Sequence, residues 1–242
     1  SAEGATAPAN GAIAISEIQG TGQASPLAGQ TATTRGVVTA VYPTGGFDGA
    51  YIQTPGSGGA GRRSASDGLF VHSRRLASLV KIGVEVRGKV TEFHGLTEIN
   101  ASSFSKLDAK AAPPVPVPLT AVPDDVGKEA LEGMLVDVRA RMTVSNNYET
   151  NRYGQLGVAF GEEPLRQPSD VFNPTADREQ IEKLSAANAA RSLTLDDGLS
   201  WAYTGAKNAH PEVPLPYLSQ QSPARVGSAI SLKRPAVLDF RK

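Results

Sequence analysis

The stretch from Gly29 to Ile99 limits the fold more than any other part of the chain. Short β-branched and aromatic runs are separated by glycine-bearing turns, the pattern of a small antiparallel barrel and not of helices. The first run alternates Val37, Thr39 and Val41 against Val38 and Ala40, and Pro43, Gly45 and Gly46 then punctuate it as a turn. Tyr51-Ile52-Gln53-Thr54 and Leu69-Phe70-Val71-His72 read as the next two strands. Val84–Phe93 and Leu96–Ile99 close the unit, with His94-Gly95 as the bend between them. Gly36, Gly83 and Gly88 fall where a strongly coiled strand must bend. The expected unit is a five-stranded barrel of oligonucleotide/oligosaccharide-binding (OB) type.

The wording GVVTAVYPTGGFDGAYIQTPG, then SDGLFVH, then GVEVRGKVTEFHGLTEI resembles the N-terminal OB-like region of large secreted bacterial nucleases. In that family a catalytic endonuclease/exonuclease/phosphatase domain lies further along the chain. ISEIQGTGQASPLAGQ is similar to the family's lead-in strand and loop. RMTVSNNYETNRYGQL, NAARSLTLDDG and PYLSQQSPARVGSAISLKRPAVLDF are similar to its second non-catalytic segment. The resemblance runs from Ile13 to the C-terminus. It implies a bacterial, extracellular parent that cleaves phosphodiester bonds with Mg²⁺ or Ca²⁺ in a downstream catalytic domain, and an accessory role for this segment. No cofactor is expected in the chain itself.

Composition fits export without requiring it. There is no cysteine, which removes disulfide staples, thiolate metal sites and cysteine nucleophiles. The opening SAEGATAPANG lacks the basic start and apolar run of a signal peptide and reads as a flexible N-terminus over residues 1–12. No apolar run approaches the roughly 20 residues that cross a bilayer. With 24 basic and 24 acidic residues the net charge is zero, unlike a strongly basic nucleic-acid binder.

The Pro-rich Lys110–Pro118 (KAAPPVPVP) favours extended polyproline conformation and reads as a linker. It separates a first barrel over residues 13–109 from a second domain over 119–242. In that domain Gly133–Val144, Gln155–Phe160, Ser192–Leu195 and Ala229–Phe240 read as strands. Thr175–Arg191 is the long helical candidate, with Asp177 as an acidic entry residue and a high-propensity run at Ala186–Ala190. The fold class expected is mainly β: two OB-like barrels in tandem, the second divergent, with a helical insertion. The chain stops at Leu238-Asp239-Phe240-Arg241-Lys242, within an expected strand or its turn, and so reads as a fragment.

Catalytic constellations are sparse. A nuclease domain of the family needs two histidines, several Asp, Glu or Asn residues and a divalent metal. Here His72, His94 and His210 fall on a strand, in a turn and in a Pro-rich loop, without metal-ligand spacing. Asp124-Asp125, Glu162-Glu163 and Asp196-Asp197 offer oxygen ligands, but none continues into an alternating Asp-x-Asp-x-Asp-Gly loop, and Asp196-Asp197-Gly198 reads as a strand-end turn. The glycines at 56–61 lack the Lys-Ser/Thr of a phosphate cradle. No catalytic or metal-binding residue is assigned.

Basic residues carry the best functional signal. Arg62-Arg63 lie in a Gly/Ser-rich loop and Arg74-Arg75 follow the next strand; a twisted barrel can present them beside Arg35, Arg87 and Lys89. Such a patch neutralises phosphates in a salt-dependent way. Phe47, between Gly45-Gly46 and Asp48-Gly49, is the credible exposed aromatic for base stacking, whereas Tyr51 and Phe70 read as core. Asn146–Gly154 reads either as a stacking loop or as an ordinary hairpin loop, and Trp201 either as a structural residue that plugs the second barrel's end or packs on nearby prolines, or as one that projects to meet another domain. The expected interface with single- or double-stranded nucleic acid is therefore Arg62, Arg63, Arg74, Arg75 and Phe47, with weak binding. Two other classes stand beside it: a purely structural or protein-docking module, and a carbohydrate-binding module of an exported protein.

Overall fold

The computed structural model describes residues 11–198, 203–204, 209–212, 214–215 and 224–239. A short helix, α1 (Ile15–Gln19), precedes five strands: β1 (Thr31–Tyr42), β2 (Gly49–Gln53), β3 (Gly68–His72), β4 (Gly83–Phe93) and β5 (Leu96–Lys106). They close into a ring in the order β1-β2-β3-β5-β4. Neighbours run antiparallel except β3 and β5, which are parallel with Phe70 opposite Glu98 and Val71 opposite Ile99. The β4–β5 bend falls at His94-Gly95, both at positive φ (52° and 83°), where glycine takes the second position without steric cost.

Strand alternation sorts the side chains. Val38, Ala50, Ile52, Leu69, Val71, Val84, Val86, Val90 and Ile99 turn inward as one buried cluster, joined by Ile15 and Ile18 of α1 and by Leu76 and Leu79 after β3. A second cluster lies on the other side of β2 and β3. Tyr51, Phe70 and Leu96 are each 3% exposed or less, and Ala40, Tyr42, Phe47 and Val237 pack against them.

The remaining elements are β6 (Val117–Leu119), α2 (Asp125–Glu129), β7 (Leu135–Val138), β8 (Met142–Asn146), α3 (Thr150–Tyr153), β9 (Leu156–Phe160), α4 (Pro168–Val171), α5 (Arg178–Ala189), β10 (Ser192–Leu195), β11 (Ala229–Ile230) and β12 (Ala236–Val237). The chain divides into two compact units, and the dividing line is not a single cut. Among the described residues the first unit holds 11–118, 125–137 and 234–239, and the second holds 119–124 and 138–233. The expected boundaries of 13–109 and 119–242 therefore change: 125–137 and 234–239 pack with the first unit. The physical reason is a small sheet in the order β12-β7-β6, in which Ala236 faces Val136 and Val237 faces Leu135.

The Pro-rich stretch also departs from the expected free linker. The Val115 amide donates to the Ser57 carbonyl (2.8 Å), the Gly59 amide to the Val115 carbonyl (3.1 Å) and the Gly56 amide to the Ala112 carbonyl (3.1 Å). An extended polyproline-like segment has free backbone groups, and here the Gly-rich loop pairs with them. Limited trypsin digestion is accordingly expected to cut at Arg62 or Arg63 before Lys110, and first cutting at Lys110 would contradict this docking.

In the second unit β10-β9-β8-β11 form a four-stranded sheet over Met142, Val144, Leu156, Val158 and Phe160. Among the described residues it is a four-stranded sheet, and the divergent OB-like barrel expected from the sequence is not shown by them. The helix expected over 175–191 is observed as α5. Among the described residues no helix is long and apolar enough to cross a membrane. The expectations for residues 1–10 and for Trp201 lie outside the described residues.

Candidate functional site: the outer faces of the ring

Two outward faces of the ring differ sharply in chemistry. On β2–β3 the aromatic rings form a connected set. Tyr51 and Phe70 are cross-strand partners with centroids 5.1 Å apart and tilted edge-on, Tyr42 lies 6.0 Å from both Tyr51 and Phe47, and Phe47 lies 6.5 Å from Phe70. An exposed set of this kind would be a stacking platform. Here the chain itself covers it. Val237 packs on the rings, and Gly133 sits so close that a Cβ there would stand 3.1 Å from Tyr51 Cδ1.

The cover is fastened by buried polar groups. A Cβ on Gly68 would stand 2.3 Å from the Gly133 carbonyl carbon, so β3 and the 131–134 turn meet backbone to backbone. The Ser66 hydroxyl donates to the Glu132 carbonyl (2.5 Å), the Leu135 amide to Gln53 Oε1 (2.9 Å), and the Gly133 amide to the Leu238 carbonyl (2.7 Å). Glu132 is 1% exposed, and its Oε1 accepts from the Thr97 amide (3.1 Å) and from Gln19 Nε2 (3.1 Å). Gln19 Nε2 also donates to the Gly68 carbonyl (2.7 Å). Burial pushes the Glu132 carboxyl up to about 8, although the hydrogen bonds from Thr97 and Gln19 oppose the shift.

The other face is polar. The outward rows are Thr31, Thr33 and Arg35 on β1, Glu85, Arg87 and Lys89 on β4, and Asn100, Ser103 and Ser105 on β5. Arg35 Nε pairs with Glu85 Oε2 at 2.7 Å, and Arg87 Nη1 donates to Thr33 Oγ1 at 3.3 Å.

The five residues expected from sequence as the nucleic-acid interface meet different fates. Arg62 is exposed in the Gly/Ser loop, while Arg63 turns back to donate to the Gly59 carbonyl (3.1 Å). Arg74 pairs with Asp48 at 2.7 Å, and that hydrogen bond holds the Asp48 carboxyl below the usual carboxylate range. The Arg75 guanidinium lies over the Phe104 ring, 5.6 Å from its centroid. Phe47 is half-buried among Tyr42 and Phe70, not projecting as expected, because its glycine-rich loop folds the ring back onto the aromatic set.

The three histidines differ equally. His72 is exposed at the end of β3, His94 stacks edge-on with Phe93 in its turn (4.5 Å), and His210 Nδ1 contacts Glu212 Oε1 (3.0 Å). Asp196 takes the turn role read from sequence, accepting from the Gly198 amide (2.8 Å) and from Gln155 Nε2 (2.7 Å). In the Asn146–Gly154 loop Tyr148 is 80% exposed and Arg152 covers the Tyr153 ring at 4.9 Å. Among the described residues no three His, Cys, Asp or Glu side chains gather as a metal centre requires.

Sequence reasoning missed the fastening residues Gln19, Ser66, Thr97 and Glu132, and the hydroxyl and amide rows beside Arg87 and Lys89. Strict alternation at Thr31-Thr33-Arg35 and Glu85-Arg87-Lys89 was the signal available for the latter. Comparison with family models, with curated proteins and with solved structures returns no match to this chain.

Proposed function

We propose that the chain is a non-catalytic accessory segment of an extracellular nuclease, in which the first unit is an OB-like barrel acting as a rigid docking and positioning body. The ring order, with its parallel β3–β5 closure, supports the OB-like reading. The nuclease parentage rests on the wording of the chain from Ile13 onward.

The observation that carries the docking role is the occupied β2–β3 face. An OB fold that binds by base stacking keeps its aromatic rings open to ligand. Here Tyr51 and Phe70 are buried, with Val237 packed on the aromatic set and Gly133 against Tyr51, so their rings stabilise the body instead of receiving bases. The partner proposed is the catalytic domain of the same polypeptide, with nucleic acid held weakly; Mg²⁺ or Ca²⁺ would belong to that domain.

The assay is nicking of supercoiled plasmid by the purified chain with Mg²⁺ or Ca²⁺. No nicking is expected. Nicking that disappears in a His72→Ala/His94→Ala/His210→Ala variant would make the chain itself the nuclease and would contradict the accessory assignment.

A further inference from the structure

We propose that the outward face of β1, β4 and β5 is a track for the phosphodiester backbone of nucleic acid, gripped by Arg87 and Lys89 between two rows of hydroxyl and amide groups. This rests on the accessory reading above and names the surface through which the segment would hold its strand. It uses none of Arg62, Arg63, Arg74, Arg75 and Phe47.

The register builds the track. Lys89 lies between Thr31 on β1 and Asn100 on β5, and Arg87 lies between Thr33 and Ser103. Arg87, Lys89, Thr31, Asn100 and Ser103 are all exposed. Two residues apart on one strand, the cations stand roughly 6.6–6.8 Å apart along β4. That repeat suits successive phosphates of one extended strand. Serine, threonine and asparagine groups on either side are of the kind that bond phosphate and sugar oxygens and fix position without reading sequence.

The neighbouring groups bound the track at both ends: beyond Lys89, Thr91 donates to the nearly buried carboxylate of Glu98 (3.3 Å). Arg35, next in the row, is paired with Glu85, so the track ends in a neutral pair. Asn100 Nδ2 donates to Thr91 Oγ1 (3.0 Å), and Ser102, the extra residue of a bulge in β5, donates its hydroxyl to the Arg87 carbonyl (3.0 Å). Both bonds brace the strands on which the polar rows stand. The nine outward positions named above include no aromatic residue, so binding through them uses the backbone alone. A neutral glycan, which relies on a stacking ring, is therefore a poorer fit than a polyanion.

The test is fluorescence anisotropy of the full chain with a labelled single-stranded DNA, repeated with an abasic deoxyribose-phosphate oligomer of the same length. Weak binding at low salt is expected, equal for the two ligands. Two phosphate contacts on a single strand give a log–log salt slope of about −1.4. Arg87→Ala/Lys89→Ala should bind about tenfold more weakly at low salt and flatten that slope, because the released counterions are lost with the charges. Arg62→Ala/Arg63→Ala should bind as the unmodified chain does. Both pairs include only exposed or half-exposed side chains, and thermal melting checks that each variant is folded.

The proposal is overturned by any of four results. These are no DNA binding at low salt, a double variant that binds like the parent, failure of the abasic oligomer to bind, or preference for a sulfated polysaccharide of equal charge. Each leaves the accessory assignment standing, since the plasmid assay reads that assignment separately.

Discussion

Glu132→Gln is expected to remove most of the pH dependence of stability between the ordinary glutamate value of 4.5 and about 8. Below that window the carboxyl is protonated in both folded and unfolded chains, and the stability linked to it is fully present. As pH rises through the window the unfolded chain gives up its proton while the folded chain keeps it, so stability falls. The loss is complete once pH passes the folded value of about 8. At about 1.36 kcal/mol per pH unit, the upper limit of the loss is about 4–5 kcal/mol. Glutamine keeps the shape and an acceptor for Thr97 and Gln19 but cannot ionise. Urea unfolding across the window should give a falling curve for the parent chain and a nearly flat one for the variant, crossing so that the variant is the more stable near the top. Glu129 and Asp239, whose charges also push the Glu132 value up, remain in both chains. Parallel curves would mean that Glu132 is ionised in the folded chain.

Phe70→Ala is expected to cost about 3–5 kcal/mol, the range for emptying a buried aromatic site. Phe70 is 2% exposed and touches Tyr51 and Phe47 edge-on, so truncation leaves a void under the covering segments and removes two ring contacts. Had the rings been an open platform, the same change would cost little stability. Gly68→Ala attacks the cover from the other side. The new methyl group meets backbone atoms of Gly133 and Met134 at 2.3–2.7 Å, and no side chain there can turn away to make room. A cost of about 1–3 kcal/mol or more follows from such overpacking. Equilibrium unfolding reads both, and a Phe70→Ala loss below about 1 kcal/mol would contradict burial of the face.

The strands of the ring were legible because inward and outward residues alternate: Val37 to Val41, Tyr51-Ile52 and Leu69-Phe70 all carry the two-residue period. Turn chemistry gave His94-Gly95, and helix propensity gave α5. What was not legible depends on long-range pairing. β5 was read as ending at Ile99, but it runs to Lys106, because its outward Ser103 and Ser105 look like loop composition when their partners Arg87 and Glu85 are unknown. The parallel β3–β5 seam leaves no local mark in either strand.

The cover was hidden for a related reason. Glu132 between Leu131 and Gly133 looks like any surface glutamate, and only the fold brings Gln19 and Thr97, distant in sequence, to its carboxyl. Phe47 misled because flanking glycines and an aspartate signal a loop without saying which way the ring turns. Lys110–Pro118 reads from sequence as a free linker, but the carbonyl of Val115 and the amide of Gly59 find each other in the folded chain. For the cationic face, the sequence grouped Arg35, Arg87 and Lys89 with the loop arginines. The strand register sets Arg87 and Lys89 beside Thr33 and Thr31 and pairs Arg35 with Glu85.

Amide hydrogen exchange of the native chain, followed at residues 133–137 and 236–238, tests the self-covered β2–β3 face most directly. The Gly133 and Leu135 amides are bonded to Leu238 and Gln53, and the Leu238 amide is bonded to the Met134 carbonyl (3.0 Å). If these segments are part of the first unit's body, their amides exchange as slowly as those of Tyr51, Ile52, Leu69 and Phe70 and lose protection together with them as denaturant is added. Exchange of 133–137 and 236–238 at loop rates, while β1–β5 stay protected, would mean that the aromatic face opens freely and would contradict the account.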